Sequence, residues 1–404
     1  MSETPKRKAL WRDRDVAIFL GVQTLSAFGD ACTFAAVPLI MRTGAISITG
    51  VGWIRALEAI ATLLTGIAAG MIADRFDRRT VLRICDAARF VLLGSVPLAW
   101  LAGPQPWLLY VVLPAAAVFS MVFQVTYVTV VPALVPKDRI NDANGLLYGT
   151  YSVAWLAGPA LAGFISQAAG PAAAIGIDAV SFAFSAIGLY LVRLRNPPGG
   201  VERGLGAGVR FIRGHPVILT LTVLLAILIF FTSSLNDVIV YHLIYGLRQP
   251  DSVIGLVLTA GVVGSTVAAA AVAPLRRRVG FGATWIGAYT LCGCIVAGIG
   301  LATHVPAVAA LAAGVTLCTG VAGIASMSLR QEVTPAHLLG RVTAAFWTLQ
   351  LVLAPAGDTV LTFAAKHAGV RDTLAVAGAI ITATALAALF TPLRRRATPP
   401  PPPT

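Results

Sequence analysis

Long apolar runs separated by short polar segments dominate the chain, and polar and apolar positions do not alternate as they would in half-buried strands. Residues 216–235 and 253–275, for example, are nearly free of charge. Each run is long enough to cross roughly 30 Å of hydrocarbon as an α-helix. The pattern therefore predicts an all-α protein whose helices span a membrane.

Twelve such runs can be delimited along the 404 residues. The predicted spans are 16–40, 48–73, 81–102, 107–131, 142–168, 172–193, 216–245, 252–275, 282–302, 305–327, 341–366 and 371–392. Two prolines and two glycines at 197–200 stop the sixth helix, and a short amphipathic stretch follows to Arg213. We therefore predict four parts: a six-helix bundle at 1–195, a cytoplasmic linker with a short amphipathic helix at 196–215, a second bundle at 216–392, and a disordered Pro-rich tail at 393–404.

Composition and charge support this interpretation. Charged residues make up only 12% of the chain, and the mean hydropathy is +0.83, whereas a soluble domain has about 25% charged residues. The net charge of +13 does not indicate nucleic-acid binding, because the basic residues follow the predicted membrane topology. Of the 30 Lys and Arg residues, 24 lie on the same predicted side of the membrane as the N-terminus and four lie on the opposite side. This bias predicts that both termini are cytoplasmic. The location we expect is a cell membrane, the inner membrane of a bacterium.

The sequence contains no constellation typical of an enzyme. It has no Ser/His/Asp set, no spacing of cysteines and histidines that suits a metal, and no phosphate-binding loop of the ATP-hydrolysing type. All five cysteines lie inside apolar runs, where they are expected to serve as small packing residues. We therefore expect neither an enzyme nor an ATP-driven pump, and no metal or cofactor.

The polar segment between the second and third spans reads Gly-Met-Ile-Ala-Asp-Arg-Phe-Asp-Arg-Arg from Gly70 to Arg79. It resembles the signature loop of the major facilitator superfamily, G-x-x-x-D-R-x-G-R-R, with Asp77 where that loop usually has Gly. The resemblance implies a twelve-helix fold of two six-helix bundles and a cytoplasmic latch in which Asp74 pairs with Arg78 and faces the start of span eleven. The latch would comprise Gly70, Asp74, Arg75, Arg78, Arg79 and Arg341.

The fifth span is similar to the antiporter motif of the same superfamily, with Ala in place of Gly at two positions. The matching residues are Gly145, Gly158, Pro159 and Gly163. Small residues allow close helix packing, and Pro159 can kink the helix. Together with the stretch from Pro335 to Val342, the motif resembles the branch that holds macrolide efflux proteins and the enterobactin exporter, which implies export.

Ionisable side chains inside the predicted spans are few, and each costs about 3 kcal/mol or more in hydrocarbon. The proton or substrate candidates are Asp30, Arg55, Glu58, Asp237 and Asp358. Arg55 and Glu58 are three residues apart and are expected to pair, and Asp237, near the outer end of its span, either belongs to the site or simply reaches water. Asp30 has no basic residue in its own span beyond the cytoplasmic edge, so we expect it to be unpaired and to bind the coupling proton.

Three other acidic or basic residues are expected to have structural roles. Asp178 lies in span six, which usually faces away from the central cavity, and is expected to be a buried acid. Asp86 and Arg89 lie one turn apart near the inner end of span three and are expected to belong to the latch region. Residues 107–131 contain no charge, although many proton-coupled drug exporters have an Arg in span four. Coupling is therefore expected to use other residues, or the protein is not a standard proton antiporter.

The resemblance implies a monomeric secondary transporter that exports a small amphiphilic molecule through the lipid bilayer, driven by protons, as its two halves rock around a central site. The alternatives are a siderophore exporter of the same fold, an importer or a lipid flippase. A transport-dead sensor and a membrane enzyme are less favoured.

Overall fold

The computed structural model describes residues 13–128, 130, 134–135, 140–192, 205–334 and 338–395. Throughout these residues the secondary structure is helical, with no β-strand. The chain divides into two compact units, of which the first comprises residues 1–37 and 61–200 and the second comprises 38–60 and 201–404. The first two helices contribute residues to both units.

The helices from the amino terminus to the sixth predicted span are long. They are α1 (Arg14–Leu39), α2 (Ile48–Arg75), α3 (Arg78–Trp100), α4 (Pro106–Val128), α5 (Ile140–Ala169) and α6 (Pro171–Leu191). A 3-10 turn at Ile40–Thr43 follows α1. Within the first unit α3 packs against both α4 and α6, and a buried apolar cluster that includes Phe19, Leu82 and Phe123 forms part of the core.

After the first six helices, the chain continues in the second unit with the predicted amphipathic helix and the remaining spans. Its helices are α7 (Leu205–Gly214), α8 (Pro216–Thr232), α9 (Leu235–Tyr241), α10 (Asp251–Ile299), α11 (Val305–Val333), α12 (Leu339–Leu351), α13 (Ala354–His367) and α14 (Val370–Ala387). A π-helical turn at His242–Gly246 follows α9, and 3-10 turns at Ala388–Phe390 and Pro392–Arg395 follow α14. Helix α10 packs against α11 and α14, and α7 packs against α12.

The number of spans follows from these helices. Within the described residues, nine helical segments are long and apolar enough to cross a membrane. One of them, α10, bends at Gly280, whose φ of 79° lies in the region that favours glycine, and it therefore contains two spans. The helices α3 and α5 supply the other two, and the prediction of twelve helices is confirmed.

Two predicted spans are interrupted. The seventh is divided at Ser233 and Ser234 between α8 and α9, and the eleventh is divided at 352–353 between α12 and α13. From the sequence, each of these two spans is expected to be a single uninterrupted helix. An interrupted helix leaves backbone groups without their usual partners, which membrane proteins tolerate where protein or a cavity surrounds them.

The Pro-rich tail begins later than predicted. Residues Pro392–Arg395 form a turn of 3-10 helix, and Leu393 is fully buried, so the first residues assigned to a disordered tail are ordered and packed. Residues 396–404 lie outside the described part of the chain.

Candidate functional site

Four ionisable side chains from three helices meet in the second unit. Arg55 Nη1 lies 3.2 Å from Glu58 Oε2 on α2, and Arg55 Nε lies 3.5 Å from Asp237 Oδ2 on α9. Asp358 on α13 is close enough to Arg55, Glu58 and Asp237 to interact with them electrostatically. We call Arg55, Glu58, Asp237 and Asp358 the Arg55 cluster.

Close packing of α2 on α13 brings the Arg55 cluster together. A Cβ added to Gly52 would overlap the side chain of Thr362 and would lie 2.8 Å from the carbonyl oxygen of Asp358. Because Gly52 and Arg55 lie one turn apart, the same face of α2 that approaches α13 carries the guanidinium. Glycine at 52 is therefore needed for Arg55 and Asp358 to come within range of each other.

The burial of the Arg55 cluster corrects one alternative from the sequence analysis. Asp237 is only 3% exposed and pairs with Arg55, so it does not simply reach water. The pairing expected between Arg55 and Glu58 is present. Asp358 is 6% exposed and lies within hydrogen-bonding reach of Ser233, but its Oδ1 is buried without a hydrogen-bond partner among the described residues.

The charges of the Arg55 cluster do not balance. Three carboxylates surround one guanidinium, and if all were ionised the cluster would carry two surplus negative charges in an apolar environment. Uncompensated buried charge costs several kcal/mol, so burial favours the uptake of protons or the binding of a cation. The arrangement is therefore chemically suited to bind and release positive charge.

A second cluster with the same composition lies in the first unit. Asp86 and Arg89 on α3 form an ion pair, and both are buried. The guanidinium of Arg89 stacks on the rings of Phe182 and Phe123, with centroid distances of 3.9 and 4.6 Å. Cation–π contacts of this kind compensate part of the cost of burying a charge.

Asp30 and Asp178 complete this second cluster, which we call the Arg89 cluster (Asp30, Asp86, Arg89 and Asp178). Thr33 Oγ1 donates a hydrogen bond of 2.6 Å to Asp178 Oδ2, and Gly29 on α1 approaches the backbone of Asp178 closely. Asp30 is half-buried and lies within electrostatic range of Asp178 and Arg89. Arg89 of α3 therefore lies within electrostatic range of Asp30, but no ion pair or hydrogen bond to Asp30 is present among the described residues, so the expectation that Asp30 is unpaired stays a prediction.

From the sequence, Asp86, Arg89 and Asp178 are expected to be structural residues and are not linked to Asp30. Asp178 is buried, as expected for a structural acid, and its side chain is directed to α1. The spacing of charges within one helix could reveal the Asp86–Arg89 pair. Only helix packing could show that α1, α3 and α6 contribute to one cluster.

Part of the predicted latch loop lies among the described residues. Asp77 caps α3 by accepting a hydrogen bond of 2.9 Å from Thr80 N, and its φ of −59° requires no glycine. This explains how Asp can replace the usual Gly. Arg79 Nε donates to the carbonyl oxygen of Leu189 at 2.9 Å, which ties the loop to the end of α6. The side chains of Asp74 and Arg341, and the pairing predicted for them, lie outside the described part of the chain.

The fifth-span motif packs closely against α1. A Cβ on Gly158 would overlap that of Ala31 and would lie 3.2 Å from the carbonyl oxygen of Phe28. Cys32 Sγ lies 3.6 Å from the carbonyl oxygen of Gly158. Pro159 does not interrupt α5, since Gly158 and Pro159 both lie inside this helix. Gly163 also lies within α5, whereas Gly145 belongs to its first turns but is not described further.

Comparison with known proteins now decides the family. The model of the Major Facilitator Superfamily matches residues 19–357. The chain belongs to the major facilitator superfamily. It is a multi-pass membrane transporter for a small-molecule substrate, as the resemblance of the signature loop predicted, and the members of this superfamily are transporters rather than enzymes.

Relatives in the superfamily match over almost their whole length. The multidrug efflux pump Tap of Mycobacterium tuberculosis is 24% identical over 398 residues, which cover 94% of this chain and 93% of Tap. The MFS-type transporter YfiS of Bacillus subtilis is 26% identical over 406 residues, with 93% and 92% covered.

Solved structures show the same fold. A bacterial homologue of the human lysosomal transporter Spinster superimposes with a TM-score of 0.77 at 12% identity, over 99% of this chain and all of that one. A bacterial homologue of the iron transporter ferroportin gives a TM-score of 0.69 at 18% identity, over 94% and 100%. At these identities the likeness concerns the fold alone.

Proposed function

We propose that this transporter exports small amphiphilic molecules, such as antibiotics or other secondary metabolites, in exchange for protons. The observation that carries the proposal is the Arg55 cluster, in which three buried carboxylates share one arginine. A transporter that couples export to protons needs a group that gains and loses positive charge inside the membrane-spanning region. The Arg55 cluster has the composition that this task requires.

Asp358 is the group of the Arg55 cluster best suited to exchange a proton. Glu58 and Asp237 both contact Arg55 directly, and an ion pair holds a carboxylate in its charged form. Asp358 has one buried oxygen without a partner among the described residues. Protonation of that oxygen removes a surplus charge and supplies a hydrogen-bond donor, while the Arg55 pairs stay intact.

Asp30 is the second candidate for the coupling proton. It is half-buried within the Arg89 cluster, where Asp86 and Asp178 leave the same excess of carboxylates. Asp178 is its like-charged neighbour, and Arg89 lies within electrostatic range of both. Asp30 and Asp358 lie in different units, so their contributions are separable by mutation.

The direction of transport rests on two observations of another kind. The relative Tap is named a multidrug efflux pump, and the fifth span carries the small residues and proline that resemble the antiporter motif. Helix α5 contacts α1 through Gly158, so a shift of α5 would be transmitted to the helix that carries Asp30.

We further propose that Asp74, Arg78 and Arg341 act as a cytoplasmic latch.

Transport in proteoliposomes tests the coupling group. Asp358→Asn keeps the side-chain shape but cannot ionise, so uphill transport of ethidium or a macrolide under a proton gradient should be lost while downhill flux partly survives. Asp30→Asn measured in parallel decides between the two candidates. Asp372→Asn, an exposed acid in the first turn of α14, is the matched control and should behave as wild type.

Two results would contradict the proposal. If both Asp358→Asn and Asp30→Asn still concentrate substrate with wild-type pH dependence, neither acid carries the coupling proton. If uphill transport by the wild type is unaffected by a protonophore, the transporter is not driven by protons.

A further inference from the structure

The first unit has a groove between the beginning of α3 and the end of α6. Its volume is about 470 Å³, and it is lined by Thr80, Arg83, Ile84, Ala87, Ile187 and Tyr190 among others. Ile84, Ile187 and Tyr190 are more than half exposed, so the groove opens sideways from the helices. At its polar end the guanidinium of Arg83 lies 4.6 Å from the ring centroid of Tyr190.

The second unit has a similar groove between the part of α10 after its bend and the end of α14. Its volume is about 620 Å³, and its lining includes Ile286, Gly287, Leu291, Leu386 and Leu389, with Arg394 at one end. The turn that carries Arg394 packs on Gly282, where a Cβ would lie 2.7 Å from the carbonyl oxygen of Leu393. Glycine at this position therefore brings the arginine to the end of the groove.

The two grooves occupy equivalent places in the order of spans. One lies between the start of the third span and the end of the sixth, and the other lies between the start of the ninth and the end of the twelfth. The positive-inside pattern predicts that all four of these helix ends face the cytoplasm. Each unit therefore has an aliphatic groove with an arginine at its predicted cytoplasmic end.

We infer that each groove binds one anionic phospholipid of the cytoplasmic leaflet, with an acyl chain along the aliphatic lining and the phosphate at Arg83 or Arg394. Charge complementarity carries this choice, because arginine recognises phosphate through several donors at once. Basic pockets between membrane helices on the cytoplasmic side suit anionic head groups. The lining otherwise offers few polar groups, which suits a hydrocarbon chain.

Native mass spectrometry of the detergent-purified transporter tests the inference by titration with phosphatidylglycerol and, separately, with phosphatidylcholine. The wild type should bind two phosphatidylglycerol molecules more tightly than any further phosphatidylglycerol molecules. An arginine near an anionic lipid surface contributes about 1 kcal/mol, which corresponds to about a fivefold change in affinity. Arg83→Ala and Arg394→Ala should each weaken one of the two sites by about that factor, and the double variant should weaken both.

Two further variants separate the groove from general surface charge. Gly287→Leu fills the groove of the second unit without a clash, because a Cβ at 287 meets nothing within 4 Å, and it should remove one bound lipid while leaving every charge in place. Arg371→Ala removes an exposed arginine at the opposite end of α14, and it should leave both sites unchanged.

Three outcomes would overturn the inference. The first is equal affinity of the wild type for phosphatidylglycerol and phosphatidylcholine. The second is an effect of Arg371→Ala as large as that of Arg394→Ala. The third is displacement of the bound lipid by glycerol phosphate, which would indicate a site for a free phosphate. Lipid binding is measured without transport, so its result is independent of whether the transporter is driven by protons.

Discussion

The Asp86–Arg89 pair shows how specific neighbours compensate a buried charge in this transporter. Both residues lie on α3 and are almost completely buried, at 0% and 3% exposure. Arg89 has aromatic rings on two sides and a hydrogen bond to Ser120 Oγ of 3.4 Å. Its charge is compensated chiefly by Asp86, the one carboxylate in direct contact with it among the described residues.

Neutralising Asp86 should therefore destabilise the first unit. Asp86→Asn leaves the guanidinium of Arg89 buried without its ion-pair partner, a change that costs about 3 kcal/mol or more. The midpoint of denaturant unfolding of the purified transporter should fall accordingly. Combining Asp86→Asn with Arg89→Met removes both charges and should recover part of the loss. An unchanged midpoint for Asp86→Asn alone would mean that Asp30 or Asp178 compensates Arg89 instead.

At the scale of helices, small residues determine which elements approach each other. Gly52 allows α2 to approach α13, Gly158 allows α5 to approach α1, and Gly29 allows α1 to approach α6. Because lipid tails are as apolar as the side chains, helix association in a membrane depends on close packing rather than on the hydrophobic effect. The two charged clusters are thus assembled by glycines that are not themselves part of them.

A large side chain at position 158 should separate α5 from α1. Gly158→Leu introduces overlap with Ala31, and overpacking of this kind costs about 1–3 kcal/mol. The folded yield and the transport rate should both fall. Gly21→Leu on α1 is the control, since a Cβ there meets nothing within 4 Å. Equal yields for the two variants would show that the contact between α5 and α1 is not needed.

The loop between α2 and α3 allows a similar comparison between a test variant and a matched control variant. Asp74→Asn should leave membrane insertion intact but reduce transport several-fold, because the proposed latch requires a carboxylate facing the start of a helix. Asp77→Asn keeps an oxygen that can cap α3 through Thr80 N, so it should have little effect. Rates are compared at equal expression, and full transport by Asp74→Asn would rule out the latch.

At the scale of the whole molecule, the superfamily identifies the protein as a transporter, and everted membrane vesicles test the direction in which it moves its substrate. Everted vesicles that contain the transporter and maintain an acidic interior should accumulate ethidium or a macrolide, since in them the proton gradient drives export inward. A protonophore should abolish the accumulation. Greater retention of every compound tested in whole cells that express the protein would instead favour an importer.

The sequence alone determined the class of the protein, the number of spans and the family. Length and apolarity of the runs are local properties, and a helix in hydrocarbon satisfies its own backbone, so each span is predictable without knowledge of its neighbours. The signature loop is likewise a contiguous stretch, and its one departure, Asp77, is explained by a contact only three residues away.

Only the tertiary structure decided which charges meet. Residues Arg55 and Asp358 are about three hundred positions apart in the printed sequence, and their proximity depends on the packing of α2 on α13. The same holds for Asp178, whose contact with Thr33 of α1 is not evident from its own span. The interruptions near Asp237 and Asp358 are likewise seen only in the structure. The hydrophobic length of a span can be read from its own residues, but which face of the helix is buried depends on the helices that pack against it.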